Sequence, residues 1–64
     1  MTKFEAIRAI NGLSYGTMAV LTGKHTYAEL DSITGEWFNA ILNAPEHAFK
    51  ACETWVDVYN TITT

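Results

Sequence analysis

Leu30, Ile33, Trp37, Ile41 and Ala44 follow one another at steps of three, four, four and three residues. No feature of the chain constrains its fold more. Side chains at that spacing share one face of an α-helix and alternate faces on a strand, so the stripe predicts a helix with one side against a core. Thr26 and Glu29 stand ahead of it at capping-box spacing, where each side chain satisfies a backbone donor orphaned at a helix start. Gly35 interrupts the stripe at a cost of about 1 kcal/mol. The unbroken phase favours one helix over residues 26–44 rather than two that meet at Gly35.

Three further segments read as helical. Thr2 and Glu5 repeat the capping-box spacing ahead of Phe4, Ile7 and Ile10, and Asn11-Gly12 supplies a stop, Gly12 being suited to a left-handed cap. Residues 14–22 hold Met18-Ala19-Val20-Leu21, apolar all round between Gly16 and Gly23. A buried helix and a buried strand look alike there, and the want of a second strand to pair with favours helix. Asn43-Ala44-Pro45-Glu46 reads as the start of a last helix reaching about Ile62. On that helix Ala48, Phe49, Ala51, Cys52, Trp55, Val56, Val58, Tyr59 and Ile62 fall on one half, and Glu46 pairs with Lys50 one turn on.

The expected fold is all-α: a single-domain bundle of three to five helices spanning residues 1–64, closed by a C-terminal antiparallel helical hairpin. A chain of 64 residues buries roughly 60% of its unfolded surface. Cys52 is the one cysteine, so no internal disulfide can reinforce it. The core must be well packed or shared with a second copy, and a homodimer is an expected partner state.

Nothing in the sequence assembles a reaction centre. His25, His47, Cys52 and the carboxylates are the possible metal ligands, but His47 and Cys52 are five residues apart and diverge by about 140° on a helix. Cys52 reads as a small hydrophobe. Gly16 and Gly23-Lys24-His25 fail the phosphate-loop pattern, which has four residues between its glycines and Ser or Thr after the lysine. Neither enzymatic activity, nor a metal, nor a cofactor is expected. No stretch is long and apolar enough to cross a bilayer, no leader pattern is evident, and a lone thiol suits the cytoplasm.

Two functions remain. The first is a protein-binding module, a regulator or inhibitor that occupies a surface of a larger protein. Its expected contact residues are Trp37, Phe38, Trp55 and Tyr59, of the types enriched in binding hot spots, rimmed by Glu46, Glu53 and Asp57 on the polar side of the last helix. For each aromatic taken singly, a place in the core outranks one in an interface. The second is a DNA-binding regulator. Residues 26–35 resemble the first helix and turn of a helix-turn-helix, with Leu30, Gly35 and Ile41 at matching positions. Lys24, Asn39 and Asn43 would then face DNA. Against it, residues 36–43 hold no Lys or Arg, and Glu36 repels phosphate. Net charge is also −3, all of it from residues 33–64, so nucleic acid ranks below protein as the partner.

Overall fold

The computed structural model describes residues 1–63. It holds four α-helices: α1 (Lys3–Asn11), α2 (Tyr15–Thr22), α3 (Tyr27–Asn43) and α4 (Trp55–Thr63), with a 3-10 turn at Glu46–Phe49 and no strand among the described residues. The expected all-α class is what the chain adopts.

Local signals account for most of the boundaries. At α1 the capping box is complete: the Glu5 amide donates to Thr2 Oγ1 at 3.1 Å, and the Thr2 amide donates to Glu5 Oε1 at 2.9 Å. That bond from the Thr2 amide holds the Glu5 carboxyl below its usual range. Ser14 caps α2 by accepting from the Thr17 amide, and Thr26 caps α3 by accepting from that of Glu29. Gly23 ends α2 at φ 74°, a left-handed conformation that glycine takes without a Cβ clash. Gly12 ends α1 otherwise than expected: its φ is −78°, and its amide donates to the Arg8 and Ile10 carbonyls without the left-handed turn.

α3 passes through Gly35 without a break. A methyl group added there would meet nothing within 4 Å, and the backbone is ordinary helix. Gly35→Ala should therefore stabilise the protein by about 0.5–1 kcal/mol. In a domain this small that raises the melting temperature by about 2–8 °C. A thermal melt followed by circular dichroism checks it, and a lowered midpoint would contradict an open site within a continuous helix. α3 ends at Ala44, extended at ψ 155°, as the clash with the ring of the next residue, Pro45, requires. Asn43 is thus the last residue of α3 and caps no new helix.

The single last helix is not formed. Residues 46–63 are a 3-10 turn, an irregular stretch and α4, for two reasons visible in the hydrogen bonds. The Met1 ammonium donates to the carbonyls of Phe49 at 2.7 Å and Cys52 at 3.2 Å, groups that a through-going helix would use itself. Asp57 Oδ2 accepts from the amides of Glu53 at 2.9 Å and Thr54 at 3.2 Å, which starts a new helix at Trp55. Thr54 and Asp57 thereby repeat the capping spacing of Thr2 and Glu5. The two backbone bonds, Glu53 first, hold the Asp57 carboxyl below its usual range. Glu46 lies 3.8 Å from Lys3 rather than pairing with Lys50. Ala51 and Val56, expected on the buried half, are exposed.

The core is Ala6, Ile10, Met18, Leu30, Trp37, Ile41, Phe49 and Val58, with no buried polar residue among them. α1 lies at the centre, against α3, α4 and the 3-10 turn. Phe4, which shares the spacing of Ile7 and Ile10, is nevertheless exposed and lies beneath the Arg8 guanidinium. The intended hairpin partner of α3 is reduced to nine residues, α4, reached through Ala44–Thr54. α2 stands apart from this packing: it touches α3 and no other element.

Candidate functional site

The residues expected to meet a partner do not form one surface. Trp37 is core, 7% exposed, with its ring edge-on to that of Tyr59 at 5.5 Å between centroids. Phe38 and Tyr59 are half-buried against the same core, and Trp55 is half-buried at the start of α4. The acidic stripe is dispersed, because the helix meant to carry it is broken. Glu46 sits on the 3-10 turn beside Lys3, Glu53 lies in the irregular stretch, and Asp57 is engaged as the cap of α4.

The helix-turn-helix reading needs a turn near Gly35, and α3 has none. Asn39 and Asn43 are exposed one turn apart on that single helix, and Lys24 lies before its start. Without the turn there is no separate recognition helix to enter a groove, so this reading is set aside.

The most unusual surface lies on α2. None of its eight residues, Tyr15 to Thr22, carries a charge. A helix apolar all round is normally enclosed on every side. Here Met18 alone is buried, and Val20 is 86% exposed. At 100° per residue Gly16, Ala19 and Val20 lie on the side away from Met18. Beside that face the rings of Tyr15 and Tyr27 pack at 5.1 Å, tilted by 49°, with Tyr27 71% exposed.

The Tyr15 hydroxyl donates to Asp31 Oδ1 at 2.5 Å, joining α2 to α3. That bond, with the charge of Asp31 behind it, raises the Tyr15 phenol above its ordinary pKa. Under it lies a cleft of about 250 Å³ lined by Ile10, Asn11, Leu13, Met18, Asp31 and Thr34, with Tyr15 at its edge. A shallower, more open depression of about 350 Å³ follows the other flank of α3 along Lys24, Ala28, Glu29, Ser32 and Ile33. No group of three or more His, Cys, Asp or Glu side chains comes together among the described residues in a way that would hold a metal ion.

No protein-family model matches this chain, and no curated protein or solved structure is significantly similar to it. Function must therefore be argued from the surface itself. Sequence reasoning missed the α2 face although its signal was present. The run Met18–Leu21 is evidently apolar all round, and that composition points to burial. Only the packing of α2 on one neighbour exposes it.

Proposed function

We propose that this protein is a binding module, a regulator or inhibitor that acts in the cytoplasm by occupying a surface of a larger protein, and that α2 is the face it presents. The observation that carries the reading is a charge-free helix packed on one side only, with Val20 open to solvent. Such a face gains by being covered, at about 25 cal/mol for each Å² of apolar surface removed from water. Tyr15 and Tyr27 flank it with rigid, amphipathic rings of a type enriched at binding hot spots.

Capture of a protein partner from native lysate by the tagged chain tests this. Val20→Asp should leave the circular dichroism and the melting temperature unchanged, because the side chain touches little of its own fold. It should weaken capture at least about tenfold, since a carboxylate would be desolvated in the interface. Glu53→Ala, on the dispersed acidic set, should capture normally. Retained capture by Val20→Asp together with loss in Glu53→Ala would return the site to the C-terminal segment. If sedimentation shows that Val20→Asp abolishes a homodimer instead, the occupant of the face is a second copy.

A further inference from the structure

We propose that the cleft between the end of α1, the start of α2 and the middle of α3 binds an alkylammonium group, the chemistry shared by a lysine side chain and a small primary amine. Its floor is apolar, made by Ile10, Leu13 and Met18, and its rim carries Asn11, Tyr15, Asp31 and Thr34. At about 250 Å³ it suits a short alkyl chain rather than a drug-sized ligand.

The polar groups of the rim are matched to a cation with three donors. Asp31 Oδ1 is taken by the Tyr15 hydroxyl, while Oδ2 accepts no hydrogen bond from the described residues. The ion pair of Lys3 with Glu46 is the only one among the described residues, so Asp31 has no cationic partner of its own. The Thr34 hydroxyl donates to the Leu30 carbonyl at 3.0 Å, which leaves its oxygen lone pairs as acceptors. Asn11 also lines the cleft, and its side chain carries a carbonyl acceptor. An ammonium has three donors and no acceptor, and so can serve a carboxylate, a hydroxyl oxygen and an amide carbonyl together. A guanidinium is the poorer fit. Its fork seeks both oxygens of a carboxylate, and Tyr15 already holds one of them.

The cleft lies on the Met18 side of α2 and Val20 on the opposite side, so a lysine of a docked protein would reach the cleft around Tyr15, at the edge between them. In that form the inference rests on the proposed function, whereas binding of a free amine does not.

The test is a chemical-shift titration of the full chain with n-butylammonium chloride, with Nα-acetyl-lysine methylamide, and with n-butanol as the neutral isostere. Both ammonium probes should produce saturable shifts at Asn11, Tyr15, Asp31 and Thr34, with a Kd of about millimolar order. Butanol should produce none. Asp31→Asn should weaken binding at least about tenfold, the loss of a charge-assisted hydrogen bond. Binding of butylammonium without the blocked lysine would assign the cleft to free amines, and binding of both would admit a partner's lysine. Absence of saturation, an equal response to butanol, or indifference to Asp31→Asn would overturn the proposal. Val20→Asp should bind the probes normally, so failure of the cleft and failure of the α2 face are told apart.

Discussion

Phe49→Ala should leave the chain largely unfolded at room temperature. Phe49 is 0% exposed and is the largest fully buried side chain of the core. It stands at the end of the 3-10 turn, where α1 and α4 both meet that turn, and no regular helix continues past it to hold the segment. Removing a buried phenylalanine costs about 3–5 kcal/mol, from lost transfer energy and the cavity left behind. The whole stability of a domain this size is about 3–10 kcal/mol. The backbone adds a second effect. The Phe49 carbonyl accepts the Met1 ammonium at 2.7 Å, so a collapse here also releases the start of α1, the central helix. Circular dichroism at 222 nm and a urea titration are the measurements. The expected outcome is loss of most of the helical signal, or a midpoint near zero denaturant. A melting temperature lowered by only a few degrees would mean that Phe49 does not bridge α1 and α4 as described.

Trp37→Ala should be nearly as damaging, and the reason bears on function. Trp37 lies on the buried stripe of α3 and meets Tyr59 of α4 edge to face. Truncation removes about 3–5 kcal/mol of packing. A double-mutant cycle on Trp37→Leu and Tyr59→Leu should return a coupling of about 0.5–1.5 kcal/mol for the ring pair itself. Lost partner capture in Trp37→Ala would then follow from unfolding. The check is whether urea stability and capture fall together. A Trp37→Ala chain with native stability and lost capture would restore Trp37 to the binding surface.

The two outcomes separate two roles that composition leaves mixed. A chain of this length has few aromatic residues, and the types that fill a small core are those that anchor interfaces. Trp37 and Phe49 serve the core, while Tyr15 and Tyr27 are left outside at the α2 face.

The helices that begin at Lys3 and Tyr27 were legible because their signals are local, whereas residues 14–22 read as helix or strand and only the want of a second strand favoured helix. A hydroxyl three residues ahead of an orphaned amide, a glycine that can turn left-handed, and an apolar repeat at helical spacing each act within a few residues. The break before α4 was legible too, in the Thr54 and Asp57 spacing, but it competed with a longer amphipathic pattern that ran straight across it. What decided between them was tertiary: the Met1 ammonium reaches the Phe49 and Cys52 carbonyls from the far end of the chain. Exposure was decided at the same level. The sequence by itself determined the all-α class, the helices over residues 3–11 and 27–43, and that α2 carries no charge. The arrangement of α1 at the centre, with α2 against α3 alone, determined that this apolar helix faces water and that Asp31, Thr34 and Asn11 share the rim of one cleft. Periodicity specifies a direction around each helix axis, whereas burial depends on how many neighbours stand in that direction, and no local pattern contains that number.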